Sequence, residues 1–336
     1  MKHLFSLLLL LAVTLSVNAW EWTPDLLGAP FQQTTVSLPR DYAGEPVCTV
    51  VRAVPDSCSG RAVLYVHGYN DYFFQKQMAM QFLSHGYSFF AVDLRRYGRS
   101  LRDGDKPYDI RDINAYSAEI DSALSIIRAE GFNEVVMIGH STGGLITASY
   151  LSHHHPAEVK ALILNSPFLD WNLGNTEKIV PAVSAIGRLL PSLSIPQGKS
   201  TAYAESLLKS AHGEWDFDTT KKHIQSLPVT AGWIRAIDNA QRDLRKTRFP
   251  LQIPVLLTMS ASSISGGQWT PDFNKADAVL DVNDIYRYGK DLSHDMKILG
   301  FEGGLHDLAL SSCPVRCAYF NNIFTWLNTV LPPQNH

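Results

Sequence analysis

The fold is decided by the stretch Val135-Val136-Met137-Ile138-Gly139-His140-Ser141-Thr142-Gly143-Gly144, in which an apolar run leads into a turn of small residues. The run Val135–Ile138 has the composition of a short buried strand, and helical periodicity follows it. The motif Gly-x-Ser-x-Gly therefore lies between a strand and a helix, which is the setting that a serine nucleophile on a sharp turn requires. Because Gly139 and Gly143 give the backbone room for that turn, we predict that Ser141 projects its hydroxyl above the end of a sheet.

Outward from this motif, β-branched apolar runs alternate with segments of helical periodicity. Repeated strand–helix–strand units imply a parallel sheet with helices on both faces, so the predicted class is α/β with a mostly parallel central sheet. The predicted strands are Cys48–Val54, Ala62–Val66, Tyr87–Val92, Val135–Ile138, Lys160–Asn165, Ile253–Met259 and Met296–Phe301, and the predicted helices beside them are Phe74–His85, Asp112–Glu130, Leu145–His155, Val282–Leu292 and Arg316–Val330.

The alternation is interrupted from about residue 173 to residue 250, where helical stretches occur with no convincing strand. They are Thr176–Leu190, Thr201–His212 and Thr230–Arg245, and prolines punctuate them. We interpret this segment as a helical cap, inserted after the sixth strand, that covers one end of the sheet. The predicted division is 1–19 as a signal peptide, 20–172 and 251–336 as two parts of one core, and 173–250 as the cap.

The first nineteen residues have the pattern of a secretory signal peptide. Lys2 precedes an apolar run over Leu4–Val17, and the small or aliphatic Val17 and Ala19 suit cleavage after Ala19. The run is short against the roughly 20 residues that cross a bilayer, so a cleaved leader is favoured over a membrane anchor. We therefore predict an exported protein, periplasmic or extracellular, whose mature chain has no membrane-spanning segment.

Export predicts that the four cysteines form disulfides, because oxidising compartments favour these bonds. They fall as two close pairs, Cys48 with Cys58 and Cys313 with Cys317. Four cysteines allow three connectivities, of which local pairing is the simplest, and reduced thiols are the alternative. Neither pair has histidines at ligand spacing, so a zinc site is not predicted.

The overall composition excludes two other classes of protein. The chain has 336 residues, of which 45% are apolar, and this is enough to build a substantial core. The formal net charge is −3, from 29 basic and 32 acidic residues, and no run of lysine or arginine occurs. A disordered chain and a nucleic-acid-binding protein are therefore both disfavoured.

A serine hydroxyl needs a base to act as a nucleophile, and that base needs an orienting carboxylate. The chain order in this architecture is serine, acid, histidine, which predicts a histidine just after the last strand. His306 lies there, in Gly303-Gly304-Leu305-His306, whereas its rival His294 precedes that strand. The expected oxyanion donors are the backbone N–H groups of Thr142, directly after the serine, and of Tyr69, in the loop after a buried strand.

Together these motifs resemble those of the serine α/β-hydrolases of the monoacylglycerol lipase, lysophospholipase and serine aminopeptidase (S33-like) group. The resemblance runs from about Ala62 to the end of the chain and implies the α/β-hydrolase fold. It also implies hydrolysis of a carboxylic ester or amide through an acyl-enzyme, with no metal and no cofactor. The matching stretches are His67-Gly68, Asp93-Leu94-Arg95-Arg96-Tyr97-Gly98-Arg99-Ser100, Gly139-His140-Ser141-Thr142-Gly143-Gly144 and Gly304-Leu305-His306.

The chain departs from this family's pattern at the triad acid, which normally follows the seventh strand closely. Here that strand runs into the Ser/Gly-rich stretch Ser260–Gly267, which has no carboxylate. The later stretch Ala276–Asp281 is similar to the family's acid loop, and the resemblance favours Asp277 as the acid. Asp281 and Asp284 stay open as alternatives, and each of the three is also a candidate for a turn or a helix cap.

The hypothesis that follows is a serine hydrolase acting on a small ester or lipid, of the monoacylglycerol lipase, lysophospholipase or carboxylesterase type. Two alternatives stay open. An aminopeptidase of the same superfamily would need acidic residues in the cap to hold a substrate ammonium group, and Glu205, Glu214 and Asp216 are candidates. A non-catalytic protein that binds a ligand on the same fold is the other. The oligomeric state does not follow from the sequence.

Overall fold

The computed structural model describes residues 20–55 and 60–332, so the predicted leader over residues 1–19 lies outside the described residues. Nine strands form the main sheet, and two more form a separate pair. Numbered in chain order, they are β1 Thr23–Pro24, β2 Gln32–Ser37, β3 Val47–Ala53, β4 Arg61–Val66, β5 Ser88–Asp93, β6 Glu134–His140, β7 Val159–Asn165, β8 Ser194–Ile195, β9 Val229–Thr230, β10 Val255–Ser260 and β11 Met296–Phe301.

The main sheet has the order β1-β2-β3-β5-β4-β6-β7-β10-β11. The neighbouring strands β5, β4, β6, β7, β10 and β11 pair in parallel. At one edge, β1 with β2, β2 with β3 and β3 with β5 pair antiparallel. All six residues of β4 and of β5 are buried, as expected of parallel strands covered on both faces. The predicted α/β class with a mostly parallel sheet is confirmed.

The sequence does not predict β2, which lies next to the two-residue edge strand β1 and pairs with β3 over six residues. Its sequence Gln-Gln-Thr-Thr-Val-Ser contains one apolar residue, so no hydrophobic run marks it. Thr34 and Val36 are nevertheless buried while their neighbours Thr35 and Ser37 are exposed, which is the alternation of a strand with one covered face.

The helices overlap the segments of predicted helical periodicity, but several of them begin or end at other residues than predicted. The predicted helix Asp112–Glu130 begins as a 3₁₀ turn, because the Asp112 side chain accepts the N–H of Asn114 two residues on. The predicted helix Thr201–His212 ends at Leu207, because Gly213 N–H bonds back to Leu208 O and closes a turn. The helices are α1 Lys76–Ser84, α2 Ser117–Ala129, α3 Thr142–His153, α4 Val180–Leu189, α5 Ala202–Leu207, α6 Ala231–Leu244, α7 Val282–Gly289 and α8 Cys313–Val330.

Residues 166–254, between β7 and β10, form a segment that we call the insert. It contains α4, α5, α6 and one short antiparallel pair, β8 with β9, which the sequence did not predict. Counted without the two-residue β1, six strands (β2 to β7) precede the insert in the described chain. Its role as a cap and the predicted boundaries at 173 and 250 stay predictions. Among the described helices, none combines the length and the apolar composition that a bilayer crossing requires.

The cysteines differ from the prediction of local disulfides. Cys48 is a free thiol packed in the core on β3, where burial raises its pKa, and its predicted partner Cys58 lies outside the described residues. Cys313 and Cys317 are free and exposed, one turn apart at the start of α8, with 3.8 Å between their Sγ atoms. These two thiols contact each other as hydrogen-bond partners, so the Cys313–Cys317 disulfide is not formed in this structure.

Candidate active site

Ser141 lies on a strained turn between β6 and α3. Its backbone has φ 52° and ψ −118°, a region that residues with a side chain rarely adopt. The turn is held on both sides, because Ser141 N–H donates to Asn165 O at 3.0 Å and Ser141 O accepts the N–H of Phe168 at 2.9 Å. These bonds to the end of β7 fix the serine above the carboxyl edge of the sheet.

Two glycines make this turn possible for steric reasons. A Cβ atom on Gly139 would lie 2.4 Å from Thr147 Oγ1, and one on Gly143 would lie 2.2 Å from Val66 O. Real Cβ contacts are not that short, so each position excludes any larger residue. The turn is therefore packed directly against the end of β4, which carries the loop with Tyr69.

His306 and Asp277 form a buried pair beside this turn. His306 Nδ1 lies 2.8 Å from Asp277 Oδ2, and the two side chains are 3% and 0% exposed. The other carboxylate oxygen, Asp277 Oδ1, accepts the N–H groups of Val279 and Leu280 at 2.8 Å each. With three donors on the carboxylate, both its position and the tautomer of His306 are fixed.

Asp277 reaches this place through a short backbone pairing that the sequence did not predict. Its N–H donates to Ser262 O at 2.9 Å, and its C=O accepts the N–H of Ile264 at 2.8 Å. Residues 265–276 therefore form an excursion, and Asp277 returns to the point just beyond the end of β10. This is where the family's acid is expected, although the residues that directly follow the strand carry no carboxylate.

The other candidates for the acid and the base lie elsewhere. Asp281 caps the N-terminus of α7 by accepting the N–H of Asn283 at 2.8 Å. Asp284, in the first turn of that helix, pairs with Arg287 at 3.0 Å. His294 is exposed and stacks on the Phe249 ring at 3.8 Å. The geometry thus brings Asp277, and neither of the other two aspartates, to His306.

Ser141 and His306 line one cavity of about 260 Å³. Its walls combine aromatic and aliphatic side chains with a similar number of polar ones, and they come from the core and from the insert. In the described part of the chain the Ser141 hydroxyl makes no hydrogen bond to His306, whose Nδ1 is bonded to Asp277. The wall side chains include Phe168, Trp171, Tyr203, Ile224, Trp233 and Leu280.

The predicted oxyanion donors also border this cavity. Thr142 is the first residue of α3, so its N–H has no carbonyl partner within that helix. Across the described residues the N–H of Tyr69 has no hydrogen-bond partner either. Both donors are therefore available to an oxygen atom of a ligand next to Ser141.

A buried polar network lies behind the serine. Asp71, His140 and Asp307 each place one possible ligand atom within 4.8 Å of the others. Burial lowers the pKa of His140, so the ring is neutral at pH 7 and its Nδ1 donates to Asn165 O at 3.1 Å. The ammonium of Lys222 lies 3.1 Å from Asp71 Oδ1 and supplies positive charge to this network.

The sequence did not identify Asp71, Asp307 or Lys222 as part of the site. Asp307 directly follows His306, yet it accepts the side-chain N–H groups of Gln75 at 3.1 Å and Asn165 at 2.8 Å and does not orient the histidine. The only available signal was proximity along the chain, because Asp71 lies two residues after the predicted donor Tyr69. Lys222 comes from the insert, where no motif marks it.

Comparison with known proteins adds to this geometry. The family model described as serine aminopeptidase, S33 matches residues 58–263, which is more than half of the chain. A phospholipase of Bacillus subtilis (YtpA) is 23% identical over 240 residues, which are 70% of this chain and 87% of that protein. An AB hydrolase superfamily protein of the same organism (YisY) is 31% identical over 115 residues. That match spans 40% of the relative and 34% of this chain, so the chain covers less than half of it.

Two solved structures share the fold over most of their length. The monoacylglycerol lipase of Paleococcus ferrophilus is 18% identical with a TM-score of 0.63, covering 84% of this chain and 99% of that one. The monoglyceride lipase of Saccharomyces cerevisiae, solved with a substrate analogue, is 16% identical with a TM-score of 0.62, covering 93% and 94%. At these identities the likeness concerns the fold alone.

Proposed function

The chain belongs to the serine aminopeptidase S33 family of α/β hydrolases, and from that premise we propose that it cleaves carboxylic esters through an acyl-enzyme on Ser141. The observation that carries the proposal is the buried His306–Asp277 pair, whose histidine lines one cavity with Ser141. A neutral histidine oriented by a carboxylate is the base that a serine hydroxyl needs.

The mechanism follows from the positions of these groups. The Ser141 oxygen attacks the ester carbonyl carbon while His306 Nε2 accepts the hydroxyl proton. Asp277 accepts the Nδ1–H bond of His306 and stabilises the imidazolium that forms. The N–H groups of Tyr69 and Thr142 hold the tetrahedral oxyanion.

Collapse of that intermediate breaks the ester C–O bond, and His306 passes its proton to the departing alkoxide. Water then attacks the acyl-enzyme carbonyl, with His306 again accepting a proton. A second tetrahedral intermediate collapses to the free acid and restores the Ser141 hydroxyl. Each step uses residues of this chain and water, so the proposal involves no metal and no cofactor.

The cavity lining supports an ester more than a peptide amine. In the described part of the chain no aspartate or glutamate lines the cavity, so a substrate ammonium group would find no carboxylate there. Glu214 pairs with Arg316 at 2.7 Å, Asp216 is exposed, and Glu205 accepts the Thr201 hydroxyl. The aromatic walls suit an acyl chain, and we place the substrate among monoacylglycerols, lysophospholipids or simple carboxylic esters.

The experiment that tests this compares hydrolysis of p-nitrophenyl esters from acetyl to palmitoyl by the protein and by Ser141→Ala. Turnover that disappears in the variant supports the proposal, and the chain-length profile separates an esterase from a lipase. Turnover of aminoacyl p-nitroanilides alone would instead favour the aminopeptidase. A folded protein that binds esters tightly without turnover would favour the non-catalytic alternative.

We also propose that the protein is exported, on the leader pattern of residues 1–19. The test expresses the full chain and a form lacking residues 2–19 and measures esterase activity outside the cytoplasm. Activity that reaches the exterior only with the leader supports export. Equal distribution of the two forms would contradict it.

A further inference from the structure

Four consecutive residues of the loop after β4 bind one stretch of the insert. We call residues 69–72 the oxyanion loop and residues 218–227 the strap segment. The Tyr69 hydroxyl donates to Leu227 O at 2.8 Å, and the Asp218 N–H donates to the Tyr72 hydroxyl at 2.9 Å. The two ends of the oxyanion loop are thus tied to the two ends of the strap segment.

The middle of the oxyanion loop is bound more tightly still. The Asn70 side-chain amide donates to His223 O and accepts the His223 N–H, both at 2.8 Å. Beside it, Lys222 Nζ lies 3.1 Å from Asp71 Oδ1, with side chains that are 7% and 2% exposed. A two-bond amide pair next to a buried ion pair fixes the register of the two segments as well as their distance.

The core by itself anchors this part of the chain mainly on either side. The Leu94 N–H donates to the buried His67 ring at 3.1 Å, and the Phe73 N–H donates to Asp93 Oδ1 at 2.9 Å. Between these anchors the core adds one polar contact to a side chain of the oxyanion loop, from the Tyr108 hydroxyl to Asn70 Oδ1 at 2.9 Å. Asn70 itself has φ +49°, a left-handed conformation that glycine and asparagine adopt more readily than other residues.

We propose that the strap segment sets the position of the Tyr69 N–H donor, so that Asn70, Asp71 and Lys222 are positioning residues of the oxyanion hole. The inference rests on the ester hydrolysis proposed above. An oxyanion donor acts chiefly in the transition state, because the tetrahedral oxygen lies where the ground-state carbonyl does not. A displaced donor therefore lowers kcat and leaves KM nearly unchanged.

Lys222 and Asn70 also line the cavity, so direct contact with substrate is the competing role for both. That role predicts a different kinetic signature. Loss of a contact made equally in the ground state and the transition state raises KM and leaves kcat unchanged. The split between kcat and KM thus separates a positioning residue from a binding residue.

The neighbouring Lys221 provides a matched control. Its ammonium pairs with Asp218 Oδ2 at 2.5 Å and holds the pKa of that carboxyl at about 2. Within the described part of the chain Lys221 makes no polar contact with the oxyanion loop. We call the hydrogen bonds and the ion pair between the strap segment and the oxyanion loop the clamp. Lys221→Met removes the same charge from the same segment but none of the groups that form the clamp, since Asp218 binds Tyr72 through its backbone N–H.

The experiment compares Lys222→Met, Asn70→Gly and Lys221→Met with the parent protein. Removing Lys222 alone leaves the Asp71 carboxylate buried and unpaired, so the double variant Asp71→Asn/Lys222→Met is included. Glycine suits the positive φ at position 70, so Asn70→Gly removes the clamp without backbone strain. We expect kcat to fall by about 10- to 100-fold in the Lys222 and Asn70 variants, with KM within about threefold. Lys221→Met should stay within about twofold of the parent on both constants.

Affinity for an alkyl boronic acid, which forms a tetrahedral adduct on the serine, should fall by the same factor as kcat/KM. Amide hydrogen exchange of residues 68–74 should speed up by about tenfold or more in Asn70→Gly and not in Lys221→Met. This second readout does not depend on turnover. Folding of every variant is checked by circular dichroism before either measurement.

Lower kcat together with faster exchange supports the proposal. Folded variants that keep kcat, that change KM alone, or that exchange like the parent overturn it. If the parent protein hydrolyses no ester, the proposed function fails separately. Amide hydrogen exchange alone then tests the clamp. Faster exchange of residues 68–74 in Asn70→Gly supports it, and exchange like that of the parent overturns it.

Discussion

The serine turn and the loop over residues 261–277, which we call the acid loop, reach the same carboxyl edge of the sheet by opposite means. The turn at Ser141 is short and strained, and a Cβ atom added to Gly139 or Gly143 would lie only 2.2–2.4 Å from a neighbouring atom. The acid loop is long, and its excursion over residues 265–276 returns through two backbone hydrogen bonds at Asp277. A side chain can therefore be held accurately at the sheet edge without a compact turn, because two backbone hydrogen bonds at Asp277 take the place of tight packing.

We expect the greatest loss of activity from a substitution in the strained turn. Ser141→Ala removes the nucleophile, and we expect kcat for a p-nitrophenyl ester to fall by about 10⁶-fold. The measurement is initial-rate hydrolysis with a folded variant. A residual rate above about a hundredth of the parent's would mean that another group carries the chemistry.

The second effect tests the side of the long loop. Asp277→Asn keeps the shape but presents the wrong donor to His306 Nδ1, so kcat should fall by about 10⁴-fold. Asp281→Asn and Asp284→Asn serve as controls and should stay within about twofold, because they cap and pair on α7. Near-normal turnover in Asp277→Asn, or a large loss in either control, would reassign the acid.

The third effect compares one glycine from each region. Gly143→Ala places a Cβ atom 2.2 Å from Val66 O, so we expect a loss of about 1–3 kcal/mol in the free energy of unfolding and a large loss of activity. Gly267→Ala, in the excursion, meets no atom within 4 Å and should change stability by less than about 0.5 kcal/mol. Denaturant unfolding measures both. Equal effects of the two substitutions would show that the turn is less tightly packed than the contacts indicate.

The smallest effect concerns the neutral ring next to the serine. Burial lowers the pKa of His140 in the folded protein. As the pH falls below the usual histidine pKa of about 6.5, the unfolded chain therefore binds a proton that the folded protein does not. Stability contributed by this residue is therefore complete above pH 6.5 and declines as the pH falls, by at most about 1.4 kcal/mol per pH unit. Unfolding in urea between pH 7.5 and 5 measures it.

His140→Gln removes this titration, so the variant should lose less stability than the parent over the same pH range. Parallel curves for the two proteins would contradict the prediction. The exposed His294 provides the control, since His294→Gln leaves the buried ring in place.

The sequence predicts the strained turn well because its steric needs are local. Small residues at 139 and 143, a buried strand before them and a helix after them are all visible within twenty residues. The same holds for His306, whose place after β11 is set by chain order. These positions depend on backbone geometry that neighbouring residues impose directly.

The acid loop and the positioning residues are less predictable for a physical reason. Asp277 reaches the histidine through pairing with Ser262 and Ile264, and no residue type marks a backbone pairing of one residue. Lys222 meets Asp71 across 151 positions, so neither residue indicates the other in the sequence. β2 is not predicted because only one of its faces is covered, and such a strand needs few apolar residues.

The return of the chain at Asp277 has a consequence for change of length. The entropy of closing a loop grows only with the logarithm of its length, so doubling the excursion costs only about 0.6 kcal/mol. We therefore expect insertions at the exposed Gly267 to be absorbed within the excursion, while Asp277 keeps its place beside His306. Since Trp269 stacks on His212 of the insert at 3.4 Å, this stretch offers evolution and protein engineers a site for grafting new contacts without altering the chemistry.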